Sequence, residues 1–246
     1  MAQRIKSMSA ISDIFARSQT MLFRFLADTF FANRYGHRAV VLETIAGVPG
    51  MVAGMWIHLK SLRSMKTGYG PLIRELLAEA ENERMHLMFF IEVAKPNWFE
   101  RILILTAQLI FWNYYFVLYV VAPKTAHKMI HYFETEAVLS YTAYLELIES
   151  GAVEDTPAPK LAIDYYGLAE NARLSDMVRM VRADEARHAD ANLGWAEKQG
   201  SETPAADHQT IKQMHRWSEF AMGANSEAEA TTGIQDVSHQ RKASLR

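Results

Sequence analysis

Two short stretches decide the fold of this chain: AENERMHL at 80–87 and RADEARH at 182–188. Each contains a Glu-x-x-His pair. The only two such pairs in the sequence are Glu83 with His86 and Glu185 with His188. Residues i and i+3 lie on one face of an α-helix, so each pair directs a carboxylate and an imidazole toward the same point. One pair alone also fits a solvated glutamate near a surface histidine, whereas two pairs in two long helical segments favour a shared metal site.

Two further glutamates complete the pattern. Glu43 lies in VVLETIAG and Glu134 lies in HYFETEAVLSY, and apolar residues flank both on predicted helices. A buried carboxylate is costly unless it is paired, protonated or bound to a metal. The resulting order, Glu, Glu-x-x-His, Glu, Glu-x-x-His, is the ligand set of di-iron carboxylate bundles. The predicted metal ligands are therefore Glu43, Glu83, His86, Glu134, Glu185 and His188.

The helical periodicity predicts an all-α protein built on a ferritin-like four-helix bundle that holds a di-iron site. The predicted helices cover 11–33, 38–65, the segment ending near 94, the apolar run 102–123, 125–150 and 159–198, the last broken near Asn171. A short turn joins the second and third helices into an antiparallel hairpin, and the last two helices form another. Ferritin-like bundles connect two such hairpins by one long crossover, and 102–123 is that crossover.

The apolar run 102–123 is long enough to span a bilayer, since about 20 apolar residues suffice. A single crossing would place the two hairpins on opposite sides of the membrane, although both supply ligands to one site. The outer face of this helix must still be covered, either by a membrane surface or by a dimer interface.

Composition narrows the chemistry. The chain has 246 residues and no cysteine, which excludes disulfides, zinc–thiolate sites and cysteine nucleophiles. Carboxylate-rich ligation with imidazole favours iron over zinc and leaves manganese open. A net charge of −2 gives no indication of nucleic-acid binding. The predicted organisation is an N-terminal arm at 1–10, a di-iron domain at 11–198 and a polar, disordered tail at 199–246.

Four motifs together resemble the signature sequences of the alternative oxidases: LETIAGVPGM (42–51), AENERMHL (80–87), ETEAVLSYT (134–142) and RADEARH (182–188). The resemblance covers roughly 20–198. It implies a monotopic membrane protein with six long helices, of which the first and fourth lie on the membrane surface. It also implies cyanide-resistant oxidation of ubiquinol with reduction of dioxygen to water at two non-haem iron ions, without proton pumping, in a homodimer.

The resemblance also implies roles for individual residues. Tyr141 is the redox-active tyrosine beside the metals, and Asn82 and Asp184 orient the imidazoles, which in this family can lie outside direct coordination. The implied quinol-binding residues are Arg24, Asp28, Arg38, Leu42, Glu136, Ala137 and Ser140. Composition alone favours a core tyrosine with a satisfied hydroxyl at Tyr141. The spacing of Arg24 and Asp28 also fits a surface ion pair of little energetic value.

Two other possibilities remain open at this point. One is a quinone-ring hydroxylase on a membrane surface, and the other is a ferritin-like iron-binding protein or a degenerate membrane-associated bundle. The N-terminus resembles neither a secretory signal nor a convincing organelle transit peptide. We therefore expect the cytoplasmic face of a bacterial inner membrane, with the matrix face of the mitochondrial inner membrane as the alternative.

Overall fold

The computed structural model describes residues 2–31, 35–65 and 68–198, and this part of the chain forms helices without a β-sheet. The helices are α1 (Ala2–Phe31), α2 (Tyr35–Ser64), α3 (Gly70–Ala94), α4 (Trp98–Val121), α5 (Pro123–Glu149), α6 (Lys160–Tyr166) and α7 (Leu174–Lys198). The predicted all-α class is confirmed. The predicted tail at 199–246 lies outside the described residues.

Helices α2, α3, α5 and α7 form the bundle. Helix α2 packs along α3, and α5 packs along α7, as the two predicted hairpins require. The first hairpin is tight because Gly50 lies directly against α3. A Cβ atom at position 50 would collide with the backbone carbonyl oxygen of Leu76 and touch Ala80. The missing side chain of Gly50 therefore sets how closely the two helices approach.

Helix α4 is the crossover between the hairpins. A capping box begins it: the Asn97 side chain accepts from the Glu100 backbone N–H at 3.0 Å, and the Glu100 carboxylate accepts from the Asn97 N–H at 2.9 Å. Among the described residues, α2 and α4 are long and apolar enough to cross a membrane, but α2 is mostly buried in the bundle whereas α4 is mostly exposed. Helix α1 packs mainly against α5.

The predicted helix 159–198 is two helices, with the break around Asn171 where it was expected. Helix α6 ends at Gly167, whose φ of 63° places it in the left-handed region. Helix α7 then starts where Asp155 accepts hydrogen bonds from the backbone N–H and the hydroxyl of Ser175, both at 2.9 Å. Helix α1 begins at Ala2, whereas the sequence predicted a start near residue 11. The predicted start was late because the apolar periodicity that marks a helix in the sequence sets in only at Ile11.

Candidate metal centre

Four glutamates and two histidines from the four bundle helices converge in the interior. Glu43 comes from α2, Glu134 from α5, and the two Glu-x-x-His pairs from α3 and α7. The exposed fractions of the glutamates are 3% for Glu43, 0% for Glu83, 3% for Glu134 and 1% for Glu185. The structure thus brings all six predicted ligands together in the buried interior of the bundle.

The six residues divide into two overlapping groups, each able to hold a metal ion. One group is Glu43, Glu83, His86 and Glu185, and the other is Glu83, Glu134, Glu185 and His188. Within each group, the ligand atoms all lie within 4.8 Å of one another. Glu83 and Glu185 belong to both groups, so these two carboxylates are placed to be shared between neighbouring cations.

The hydrogen bonding of the cluster is incomplete in a way that fits a cation. Both carboxylate oxygens of Glu83, Oε2 of Glu43, Oε1 of Glu185 and Nδ1 of both histidines are buried without a hydrogen-bond partner in the described part of the chain. Some of these atoms are close, such as His188 Nδ1 and Glu83 Oε1 at 2.6 Å, but outside hydrogen-bond geometry. Buried polar groups without partners are costly. Two divalent cations would satisfy them and neutralise four carboxylates.

Burial and mutual repulsion shape the protonation of the cluster. Burial raises the pKa of Glu43 and of Glu134 well above the ordinary value, and the charge of Glu185 raises both further. Burial acts in the same direction on Glu83, but the two histidines outweigh it and lower the pKa of that carboxyl. Burial lowers the pKa of both histidines, yet the carboxylates outweigh it and raise them. The raised pKa values favour bound protons, which offset the negative charge of the cluster when no metal is bound. Metal binding would displace these protons.

Tyr141 touches the cluster directly. Its hydroxyl donates a short hydrogen bond to Oε1 of Glu43, and its ring stacks on Phe90 with a centroid distance of 5.6 Å. Burial and the neighbouring charge of Glu43 raise the pKa of Tyr141 well above its ordinary value, so the phenol keeps its proton. The side chain is therefore a neutral hydrogen-bond donor at the edge of the metal cluster.

Asp184 fixes the orientation of one imidazole. Its Oδ2 atom lies 3.1 Å from His86 Nε2 and accepts from the Asn82 amide at 3.1 Å and from the Tyr166 hydroxyl at 2.8 Å. Because Nε2 faces this carboxylate, Nδ1 of His86 turns toward the glutamate cluster, 3.1 Å from Glu185 Oε1. A carboxylate behind an imidazole is the common way to hold a metal-site histidine in place.

A cavity of about 310 Å³ opens beside the cluster. Its walls come mainly from α1, α2, α4 and α5, with Glu185 contributed by α7, and most of the lining is apolar. Glu43, Glu134, Glu185 and Tyr141 form part of its wall, so a molecule in the cavity reaches the metal cluster without crossing a further layer of protein.

Comparison with known proteins identifies the family. The sequence model of the alternative oxidase family matches residues 2–197. The chain belongs to the alternative oxidase family. "Ubiquinol oxidase 2, mitochondrial" of Glycine max is 52% identical over 182 residues, covering 74% of this chain and 54% of that protein. "Ubiquinol oxidase, mitochondrial" of Batrachochytrium dendrobatidis is 52% identical over 189 residues, covering 77% of this chain and 60% of that protein. The chain thus spans little more than half the length of these relatives.

In this alternative oxidase, most of the residues expected in the quinol pocket line the cavity: Arg24, Arg38, Leu42, Glu136, Ala137 and Ser140. The side chain of Asp28 lies outside the described residues. Arg24 forms a short ion pair with Glu136, which ties α1 to α5 at the cavity wall. The residues expected in the quinol pocket therefore line one and the same cavity.

Sequence reasoning missed two groups of polar residues. Tyr165 and Tyr166 reach the site from α6, which follows a long loop, so no helix periodicity in the sequence connects them to it. Glu79 and Asn192 were detectable: Glu79 lies four residues before Glu83, and Asn192 lies four residues after His188, each on the same helix face as its ligand.

Glu79 and Asn192 belong to a second buried chain of hydrogen bonds. Asn192 Nδ2 donates to Glu79 Oε1 at 2.9 Å, Asn192 Oδ1 lies 2.9 Å from His127 Nδ1, and His127 Nε2 lies 3.3 Å from the Tyr119 hydroxyl. Burial raises the pKa of Glu79 to about 7 and lowers the pKa of His127 to about 4. His127 is therefore neutral, donating from Nδ1 and accepting at Nε2.

We predict that His127 makes the metal-free protein less stable in acid. The pKa of His127 falls from 6.5 in the unfolded chain to about 4 in the fold, so the unfolded state takes up the proton first. The contribution of His127 to the free energy of unfolding should decrease by about 2 kcal/mol between pH 7 and pH 5. Denaturant unfolding of the wild type and of His127→Gln across this range measures it, with surface His58→Gln as control. Parallel pH profiles for wild type and His127→Gln would contradict the prediction.

Proposed function

We propose that this chain is a cyanide-resistant ubiquinol oxidase that oxidises ubiquinol and reduces dioxygen to water at two iron ions. The observation that carries the proposal is the direct contact between an apolar cavity and the buried carboxylate cluster. A prenylated quinol needs an apolar cavity, and dioxygen reduction needs a redox metal within reach of it. The names of the relatives point to the same substrate.

Glu43, Glu83, His86, Glu134, Glu185 and His188 would hold the metal ions in this proposal, with the histidines either as ligands or hydrogen-bonded to the carboxylates. A carboxylate-rich set with imidazole suits iron, whereas zinc prefers thiolate or imidazole and does not change oxidation state. Two iron ions would accept the electrons of the quinol and pass them to dioxygen. Two quinols supply the four electrons and four protons that convert one dioxygen into two waters.

The protein side chains around the cavity position the quinol and its protons. Arg38 lies in the wall and carries donors suited to a quinone carbonyl or a quinol hydroxyl. The ion pair of Arg24 with Glu136 closes the same wall. Tyr141 stands between cavity and cluster, where its side chain could supply one electron to the metal site while its hydroxyl proton passes along the hydrogen bond to Glu43. The mostly apolar lining of the cavity disfavours binding of water there.

The exposed faces of α1 and α4 favour binding to one leaflet of a membrane. Large apolar side chains on these helices face outward: Ile11, Ile14, Met21, Phe25, Trp98, Ile102, Leu105, Leu109, Val117 and Val121. The quinol cavity has walls from the same two helices, so a lipid-soluble substrate would enter from the bilayer. The resemblance to the family implies in addition that the reaction pumps no protons.

The relatives compared above are mitochondrial by name, which supports the mitochondrial inner membrane over the bacterial membrane expected from the sequence.

A homodimer is part of the proposal as well. Met51, Met55, Leu59 and Leu62 form a separate exposed apolar stripe along α2, at intervals that keep them on one helix face. Sedimentation in detergent tests the dimer by its mass.

We predict that Glu83→Gln lowers quinol-dependent oxygen uptake by about 100-fold or more, because it removes a carboxylate that both metal groups share. Glu81→Gln is the matched control, since Glu81 lies two residues away and faces solvent. Oxygen uptake with a short-chain ubiquinol, together with iron content, provides the measurement. Full uptake in Glu83→Gln with iron retained would overturn the site assignment. A hydroxylated quinone as product would favour the hydroxylase, and iron binding without uptake would favour the iron-binding protein.

We predict that Tyr141→Phe keeps its iron but loses about 100-fold in turnover, since the variant deletes only the hydroxyl that can transfer a hydrogen. Tyr115→Phe is the control: its hydroxyl is also fully buried, has no hydrogen-bond partner in the described chain and does not line the cavity. Iron content and turnover of both variants are compared with wild type. Equal turnover in all three proteins would mean that Tyr141 is only structural.

We predict that Leu105→Glu combined with Leu109→Glu weakens vesicle binding by about tenfold or more, because two charges enter the face that contacts lipid. Leu161→Glu on α6 is the control, since Leu161 is also exposed but lies on another helix. Co-sedimentation with phosphatidylcholine–phosphatidylglycerol vesicles measures the bound fraction. Undiminished binding of the double variant would place the membrane contact elsewhere.

A further inference from the structure

Asn192 lies at the centre of a buried polar chain that none of the reaction steps above uses. Asn192 and Tyr119 are each 1% exposed, as is His127, and Glu79 is 7% exposed. The four residues come from α7, α4, α5 and α3, so the chain links the crossover helix to both hairpins. Burying four polar side chains together is costly unless every group is satisfied.

The side-chain orientation of Asn192 follows from its partners. The Nδ2 atom donates to both carboxylate oxygens of Glu79, at 2.9 and 3.2 Å, and to the backbone carbonyl of His188 at 3.1 Å. The Oδ1 atom accepts from Nδ1 of neutral His127. A flipped amide would set Oδ1 against the carboxylate and Nδ2 against an N–H donor, so one orientation alone satisfies all partners.

This chain lies one helical turn from the metal cluster. Glu83 and His188 face each other between α3 and α7, with 2.6 Å between Oε1 and Nδ1. Moving four residues back on α3 and four residues forward on α7 gives Glu79 and Asn192, which face each other in the same way. The two contacts are successive cross-links between the same antiparallel helices, and Asn192 additionally holds the carbonyl of His188 itself.

We propose that Asn192 is a positioning residue for the metal centre. By binding Glu79 on α3 and the carbonyl of His188 on α7, it keeps that turn of α7 in register with α3, so that the His188 ring faces Glu83. His127 fixes the Asn192 amide from the opposite side. The inference rests on the metal centre of the proposed function, but it does not depend on which quinol or metal the enzyme uses.

The test is Co²⁺ binding to the metal-free full-length protein, followed by visible absorption and by competition with a chelator. Asn192→Ala should fold, weaken Co²⁺ affinity by about tenfold or more, and change the Co²⁺ absorption bands, as loss of residues that orient a ligand typically does. Glu79→Ala should have the same effect, because Asn192 then loses its anchor on α3. Glu79→Gln should restore near wild-type binding, since its amide oxygen still accepts from Asn192.

Ser175→Ala is the matched control on α7. Ser175 is also buried and also hydrogen-bonded to a carboxylate of another segment, Asp155, but it lies more than three turns from His188. It should lower the melting temperature without changing Co²⁺ affinity or spectrum. Unchanged affinity in Asn192→Ala, or an equal loss in Ser175→Ala, would overturn the inference. Should Asn192→Ala fail to fold, the Glu79→Ala and Glu79→Gln pair decides, and equal binding by both would overturn it.

The two levels of the proposal separate in the same experiment. Wild-type protein that binds no Co²⁺ would refute the metal centre and this inference together. Wild-type protein that binds Co²⁺ while all the variants match it would leave the metal centre intact and refute only the role of Asn192.

Discussion

Four buried carboxylates at one point are the constraint on which this structure depends. Glu43, Glu83, Glu134 and Glu185 each come from a different bundle helix, and none is more than 3% exposed. Their mutual repulsion and desolvation oppose folding unless positive charge joins them. The two histidines supply part of that charge in the metal-free protein, and two metal ions would supply it fully. The four-helix arrangement is the scaffold that holds these opposing charges together.

The remaining architecture follows from placing such a site next to an apolar cavity. Both hairpins contribute residues to the carboxylate cluster, so the crossover α4 runs along the outside of the bundle and exposes its apolar side chains. The cavity between α1, α2, α4 and α5 ends at this cluster and at Tyr141. Asp184 contacts the His86 ring, and Asn192 donates to the backbone carbonyl of His188. Each of these contacts stabilises the position of one histidine. The cavity thus lies between the buried carboxylate cluster and the helices whose apolar side chains are exposed.

The sequence predicted the fold class, both hairpins and all six cluster residues, because residue spacing on a helix determines which side chains share a face. It predicted less well where chain geometry matters more than periodicity. The loop after α5 brings Tyr166 to Asp184, a contact that no residue spacing indicates. The link of Tyr119 through His127 to Asn192 joins three helices, and no spacing within one helix indicates such a contact.

The most direct test of the central claim is the Mössbauer spectrum of the protein reconstituted with ⁵⁷Fe. The two overlapping ligand groups share Glu83 and Glu185, which predicts two iron ions per chain as a carboxylate-bridged pair whose ferric form is diamagnetic through magnetic coupling. A single isolated, paramagnetic ferric ion per chain, or iron bound in a Glu83→Ala and Glu185→Ala double variant with an unchanged spectrum, would contradict the account.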